Sequence, residues 1–122
     1  MILADTSVWV DHLRSGDNEM RDRLNRGEIV VHPFIIAEIA LGSVKDRGRT
    51  LALLDQLPQV RVANSTEVRL AIEYRHLYGL GIGLVDAHLI AAAFINSPTF
   101  LWTRDKRLRK VAETLGIDAG LA

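Results

Sequence analysis

The chain has 122 residues, of which 48% are hydrophobic and 25% charged, with 15 basic and 15 acidic side chains and no cysteine. This length fits one domain rather than two, and the apolar fraction excludes a disordered or low-complexity chain. The lack of cysteine excludes disulfide frameworks, thiolate zinc sites, iron–sulfur clusters and thiol nucleophiles. Because the basic and acidic charges balance, the protein as a whole has no strong electrostatic attraction to nucleic acid or membranes.

Short apolar runs alternate with helical patterns along the chain. In order, these patterns predict a strand at residues 2–4, two short helices that end at Gly27, a strand at 29–31 and a helix from about 34 to 44. They then predict a helix ended by Pro58, a strand at 60–62, and helices over 65–78 and 86–95, and finally a strand at 100–102 and a helix over 105–115. Short apolar strands separated by helices favour a parallel sheet covered on both faces. We therefore predict one α/β domain over residues 1–122.

The chain shows no targeting or membrane-spanning segment. Its first residues reach Asp5 without the basic segment and apolar core of a secretory signal. The longest apolar run, from Leu89 to Ile95, is far too short to cross a bilayer. We therefore expect a cytoplasmic protein that does not contact membranes.

Three acidic residues stand where a predicted strand meets a predicted helix or in a first helical turn. Asp5 follows the first strand, Asp105 follows the strand at 100–102, and Asp86 lies in the first turn of an otherwise apolar helix. Each could simply cap its helix, since Asp accepts hydrogen bonds there and complements the helix dipole. Taken together they suggest a shared ligand-binding site, because the carboxyl ends of parallel strands lie at the sheet edge where ligands bind.

Glu38 is the most informative single residue. The segment from Phe34 to Leu41 is apolar at every position except this one. A helix that is apolar all round is buried, and burying an unpaired carboxylate costs several kcal/mol. No cation stands one helical turn away, at positions 34, 35, 41 or 42. A narrow solvent stripe or an arginine partner would also explain Glu38, but the pattern favours a functional role.

Four acids gathered at one sheet edge would repel one another and raise each other's pKa unless a cation were present. Mg²⁺ or Mn²⁺ suits such a site, because both take oxygen ligands and keep waters for a substrate phosphate. The histidines, at positions 12, 32, 76 and 88, show no paired metal-ligand spacing, which argues against zinc. The chemistry natural to this kind of site is metal-assisted phosphodiester hydrolysis.

A basic segment surrounds the last of the four acids. Five basic side chains fall within seven positions: Arg104, Lys106, Arg107, Arg109 and Lys110. A charge run of this kind is usually a solvated helix face. Beside an acidic metal site, its first members, Arg104, Lys106 and Arg107, would instead hold the flanking phosphates of a polynucleotide.

Four motifs carry a resemblance to a known family: Asp5-Thr6-Ser7 with Trp9, Glu38 in its apolar helix, Val-Asp-Ala-His-Leu-Ile-Ala-Ala around Asp86, and Thr103-Arg104-Asp105. Together they resemble the PIN-domain ribonucleases and, more closely, VapC-type toxins of bacterial toxin–antitoxin pairs. The resemblance implies a three-layer domain with a parallel sheet of about five strands flanked by helices. The sequence departs from the family pattern only at its end, because few residues follow Gly116 and any last strand, at Ile117, is short. It also implies endonucleolytic RNA cleavage that needs Mg²⁺ or Mn²⁺, a homodimer, and inhibition by a cognate VapB-type antitoxin whose tail covers the site.

The resemblance also implies roles for individual residues. Asp5, Glu38, Asp86 and Asp105 match the acidic quartet of the family. Asp5 and Asp86 would be metal ligands, Asp105 would assist directly or through water, and Glu38 would orient or deprotonate the attacking water. The hydroxyls that would hydrogen-bond these carboxylates belong to Thr6, Ser7 and Thr103.

Two other functions are compatible with the same residues. One is a magnesium-dependent phosphatase or phosphotransferase with Asp5 as nucleophile, although such enzymes commonly have a second aspartate where Ser7 stands. The other is a non-catalytic RNA-binding module, in which the acids are helix caps and residues 104–110 form the working surface.

Overall fold

The computed structural model describes residues 1–122 as three strands and seven helices. The first half comprises β1 (Ile2–Ala4), α1 (Thr6–Ser15), α2 (Asn18–Asn25), β2 (Ile29–Val30) and α3 (Pro33–Leu41). The second half comprises α4 (Arg47–Asp55), α5 (Ser65–Tyr74), α6 (Leu84–Ile95), β3 (Phe100–Trp102) and α7 (Lys106–Thr114). None of these helices is both long and apolar enough to cross a membrane.

The three strands form one parallel sheet in the order β2-β1-β3. Ile2 of β1 stands beside Ile29 on one side and Phe100 on the other. All three residues of β1 are buried, as expected for a central strand of a parallel sheet flanked by helices. The chain leaves β1 toward β2 and returns on the opposite side as β3, so β1 is the switch point where α/β folds bind ligands.

The sheet has fewer strands than predicted. The strand at 60–62 does not form, because the side-chain amide of Asn96 binds both the N–H and the C=O of Arg61 at 2.9 Å. Only a single parallel bridge, between Val31 and Gln59, remains on that side. At the opposite edge the strand expected at Ile117 is reduced to one bridge between Leu101 and Asp118. The prediction of about five strands was therefore wrong in number, although the parallel arrangement flanked by helices is confirmed.

The structure changes the predicted end of one helix and confirms the buried face of another. α5 stops at Tyr74 rather than at position 78, and His76 just beyond it adopts a left-handed conformation with φ of 55°. α7 buries Leu108, Val111 and Ala112 along one face, as its amphipathic pattern predicts.

A buried histidine caps the N-terminus of α3. His32 Nδ1 accepts a hydrogen bond from the backbone N–H of Phe34 at 3.0 Å, while its Nε2 is buried without a partner. The ring of His88 on α6 lies 6.3 Å away between centroids. Burial, together with a smaller effect of the His88 charge, lowers the pKa of His32 to about 4. The fold therefore requires this imidazole to be neutral.

We expect the protein to lose stability as the pH falls below 6.5, because the unfolded chain binds a proton on His32 that the folded chain resists. Down to the folded pKa of about 4, this group alone lowers the free energy of unfolding by up to about 1.4 kcal/mol per pH unit. His32→Asn keeps an acceptor for the Phe34 N–H and removes the titration. Thermal melts at about pH 7 and about pH 5 should show a smaller drop in Tm for the variant than for the unsubstituted protein. Equal drops would contradict this assignment.

Candidate active site

Asp5 lies at the point where the two neighbouring strands β1 and β3 end. Its backbone N–H donates to the carbonyl of Trp102 at 2.8 Å, which continues the sheet hydrogen bonding by one residue. Its Oδ1 accepts from the Thr6 N–H at 2.7 Å. Its Oδ2 accepts from the hydroxyls of Ser7 at 3.1 Å and of Thr103 at 2.7 Å. Three donors therefore orient a carboxylate whose residue is only 8% exposed.

Glu38 reaches the same place from α3. The Thr6 hydroxyl donates to Glu38 Oε1 at 2.7 Å, so Thr6 holds Asp5 through its backbone and Glu38 through its side chain. The other oxygen, Oε2, has no hydrogen-bond donor within the protein. α3 is not buried all round as its sequence predicted, since Leu41 is 89% exposed and Glu38 itself is half-buried. Apolar composition overstated the burial of a helix that packs through Ile35 and Ile39.

Asp86 and Asp105 each anchor one carboxylate oxygen at a helix start. Asp86 Oδ2 accepts from the Gly83 N–H at 3.1 Å at the beginning of α6. Asp105 Oδ1 accepts from the N–H groups of Arg107 and Leu108 at 2.9 and 3.0 Å as the N-cap of α7. In both residues the second oxygen receives no hydrogen bond from the protein. Capping and a further role are therefore compatible, because capping uses only one of the two oxygens.

The four carboxylates share one electrostatic environment. Burial raises the pKa of Asp86, the Gly83 hydrogen bond opposes this, and the charges of Asp5, Asp105 and Glu38 raise it further. Hydrogen bonds connect three of these acids directly, because Thr6 links Asp5 to Glu38 and Thr103 links Asp5 to the backbone of Asp105. The structure thus brings together side chains that are up to 100 positions apart in sequence.

The donor set suits a hard divalent cation. All four side chains offer carboxylate oxygens, the ligands that Mg²⁺ and Mn²⁺ prefer, and two of the carboxylates have an oxygen with no protein donor beside their capping oxygen. Beside burial, the charges of the neighbouring carboxylates raise the pKa of Asp86, and a bound cation would relieve that repulsion. As placed, no three of the chain's His, Asp or Glu side chains are arranged to hold one ion together. The carboxylate oxygens thus suit the cation by their chemistry, and three of them would bind one ion only after their side chains move closer together.

The basic residues next to Asp105 fall into two groups. Arg104 donates from Nη1 to Asp11 Oδ2 at 2.7 Å and from Nη2 to Asp17 Oδ2 at 2.6 Å. Lys106 and Arg107 are exposed and form no ion pair. Gly81, in the loop before α6, has a φ of 75°, a conformation that favours glycine, and Arg107 Nη1 lies 2.9 Å from the place a Cβ would occupy there. The predicted phosphate-binding segment thus contains one cation already paired within the fold and two that are free.

Sequence reasoning missed Asp11 and Asp17. Asp17 carries a local signal, because it precedes α2 and its Oδ1 caps that helix through the Met20 N–H at 2.9 Å. Nothing in the neighbouring residues indicates that either acid pairs with Arg104, which is more than 80 positions away.

The chain matches the family model described as PIN domain over residues 2–114, a range that includes all four acidic positions. It is 43% identical over 117 residues to Ribonuclease VapC32 of Mycobacterium tuberculosis (strain CDC 1551 / Oshkosh), covering 96% of this chain and 94% of that protein. Ribonuclease VapC32 of the strain ATCC 25618 / H37Rv matches with the same identity and coverage. These similarities confirm the resemblance that the four sequence motifs indicate.

Proposed function

The chain belongs to the PIN-domain family as a VapC-type ribonuclease toxin. From that premise we propose that it hydrolyses internal RNA phosphodiester bonds, with Asp5, Glu38, Asp86 and Asp105 as the catalytic residues. The observation that carries the proposal is the hydrogen bonding around Asp5, in which Thr6 links Asp5 to Glu38 and Thr103 links Asp5 to the backbone of Asp105. Burial and then the charges of these three acids raise the pKa of Asp86, which agrees with this arrangement. Isolated helix caps would not share a field in this way. No observation favours the phosphotransferase or the purely RNA-binding alternative.

Asp5, Asp86 and Asp105 are the residues that would hold the divalent cation. A bound Mg²⁺ or Mn²⁺ supplies a water nucleophile at neutral pH and stabilises the negative charge that develops on the phosphate and the leaving oxygen. Asp5 is suited to a fixed ligand because Thr6, Ser7 and Thr103 already orient both its oxygens. Asp86 and Asp105 keep one oxygen each for the cation while the other caps a helix.

Glu38 is the residue that would orient the attacking water and accept its proton. Thr6 fixes one carboxylate oxygen and leaves Oε2 without a donor from the protein. A fixed carboxylate with one available acceptor atom suits a general base, which must lie within hydrogen-bond reach of the proton that it removes. Glu38 also lies on a different helix from the three proposed ligands, so it can approach the site from another side.

Lys106 and Arg107 are the side chains that would contact the RNA backbone. Both are exposed in the first turn of α7, directly after Asp105. Contacts of this kind position an RNA strand without reading its sequence, and they weaken as salt increases. Arg104 contributes no comparable free charge, because Asp11 and Asp17 pair with it.

Two partners follow from family membership. We infer a VapB-type antitoxin, which would inhibit cleavage by covering the site, and a homodimer. The apolar groove between α5 and α6 supports the dimer, since Leu70 and Tyr74 on its rim are 64% and 85% exposed. A molecular mass of one chain by light scattering at micromolar concentration would contradict the dimer.

Mapping RNA ends tests the proposed function. The purified protein, incubated with total RNA and Mg²⁺, is expected to generate new ends at a small set of internal positions within single-stranded segments, which are the usual targets of sequence-specific RNA recognition. The matched control is Asp5→Asn, prepared in the same way, which should generate none of these ends. Ends produced equally by the variant would assign the cleavage to a contaminant.

A further inference from the structure

The guanidinium of Arg104 joins three segments that surround Asp5. Its Nη1 pairs with Asp11 in α1 and its Nη2 with Asp17, the N-cap of α2, at 2.7 and 2.6 Å. These hydrogen bonds raise the pKa of Arg104, and the pKa of Asp17 is lowered, first by its bond to the Met20 N–H and then by Arg104. The pairing therefore ties α1 and the start of α2 to the end of β3.

The charge of this cluster argues against an RNA contact. One guanidinium stands between two carboxylates, so the cluster carries a net negative charge, which repels phosphate. The guanidinium nitrogens Nε and Nη2 also lie 3.4 and 3.3 Å from the carbonyl of Ala122. Few donors of Arg104 remain for a ligand.

The backbone of the same residue connects to Asp5. The Arg104 N–H donates to Ser7 Oγ at 3.0 Å, and Ser7 Oγ donates to Asp5 Oδ2 at 3.1 Å. A serine hydroxyl has a single hydrogen, so accepting from Arg104 leaves that hydrogen directed at the carboxylate. On the other side, the Thr103 hydroxyl donates to the same Oδ2 and accepts from the Asp105 N–H at 3.1 Å.

We propose that Arg104 is a positioning residue for Asp5. Its side chain, held by Asp11 and Asp17, fixes the peptide whose N–H aligns the Ser7 hydroxyl with the Asp5 carboxylate. This inference rests on the proposed function, because it assigns Arg104 to the geometry of the reaction rather than to substrate binding. Residues that orient a metal-binding carboxylate typically change activity or metal affinity by about 10- to 100-fold when they are removed.

Variants at three arginines separate a positioning role from RNA binding. Arg104→Gln is expected to lower kcat by about 10- to 100-fold with little change in KM, and Arg104→Lys should recover part of the loss because it restores one ion pair. Arg107→Gln should raise KM and reduce the salt dependence of RNA binding by about one charge. Arg49→Gln, at an exposed position outside the site, should change neither constant.

Binding of RNA without cleavage provides a second measurement. In excess chelator, a labelled single-stranded oligonucleotide spanning a mapped cleavage site should lose much less affinity for Arg104→Gln than for Arg107→Gln, because both variants lose one positive charge but only Arg107 contacts phosphate. An RNA affinity reduced equally by both substitutions would overturn the proposal and return Arg104 to the phosphate-binding group. Absence of cleavage by the unsubstituted protein would instead contradict the proposed function itself.

A double-mutant cycle tests the path through Ser7. If Arg104 acts through that hydroxyl, Ser7→Ala and Arg104→Gln interrupt the same series of hydrogen bonds to Asp5. The kcat of the double variant should then be close to that of the less active single variant. Losses in kcat that multiply would show that the two side chains act independently and would overturn the proposed path. Both single variants are compared at a temperature well below their measured Tm, so that the result does not depend on global unfolding.

Discussion

Asp86→Asn is expected to abolish RNA cleavage while leaving the protein as stable as before or slightly more stable without metal. Loss of a charged ligand removes several kcal/mol of transition-state stabilisation, which corresponds to a rate at least about 10³-fold lower. The raised pKa of Asp86 means that its ionised form disfavours the fold, so this group contributes stability at low pH that is lost as the pH rises through its folded pKa. Asparagine avoids that loss and keeps an acceptor for the Gly83 N–H.

The expected increase in Tm for Asp86→Asn in chelator at neutral pH is about 1–3 °C, because the carboxylate is half-exposed and its repulsion is screened. Asp5→Asn should be equally inactive but should lower Tm, since the amide replaces an acceptor oxygen among three donors. Asp55→Asn, an exposed aspartate at the end of α4, serves as the matched control and should change neither property. Cleavage by Asp86→Asn within tenfold of the unsubstituted rate would contradict its role.

Removal of divalent cations is the second change with a large expected effect. Cleavage should stop in excess chelator and return when Mg²⁺ or Mn²⁺ is restored, because without a cation the four carboxylates repel the phosphate and cannot stabilise the negative charge that develops on it. PIN-domain ribonucleases are generally dependent on divalent metals, which supports this expectation. Equal rates with and without chelator would contradict the proposed chemistry.

Thermal stability provides a readout of the cation that does not require cleavage. A cation that binds only the folded chain raises Tm as its concentration exceeds the dissociation constant. Mg²⁺ should therefore raise the Tm of the unsubstituted protein and have a much smaller effect on Asp86→Asn, which has lost one proposed ligand. The same upward shift in both proteins would place the bound cation elsewhere on the molecule.

The strands at 2–4 and 100–102 were predictable because apolar triplets followed by capping residues have few other structures available. The strand at 60–62 was not, because its apolar pattern is overridden by the Asn96 amide, which lies 35 positions away and occupies the backbone of Arg61. The burial of α3 was also overstated, since composition alone does not say which apolar side chains remain at the surface.

Some features of the candidate site could likewise be predicted from the sequence, and others could not. Asp5, Asp86 and Asp105 could be selected because strand ends and helix starts mark the sheet edge where ligands bind. Thr6, Ser7 and Thr103 could be selected as neighbours of those acids. The partner of each hydroxyl could not be chosen, because a hydroxyl has several possible acceptors and only distance selects among them.

Arg104 shows most clearly where local reasoning stops. In the sequence it is one of five cations in a basic run, and the run as a whole indicates a surface for phosphate. In the structure its guanidinium is paired with Asp11 and Asp17, whereas Lys106 and Arg107 form no ion pair. Charge composition is local, whereas charge pairing depends on which distant segments pack together.

By itself, the sequence determined the α/β class and the family, and it supplied the acidic residues that are proposed as the site, since these depend on short-range patterns and on residue types at separated positions. Only the tertiary structure decided how many strands complete the sheet, which oxygen of each carboxylate is used in capping, and which arginine is already paired. The physical reason is that hydrogen bonds and ion pairs form over a few ångströms, and the residues that come within that distance here are 30 to 100 positions apart along the chain.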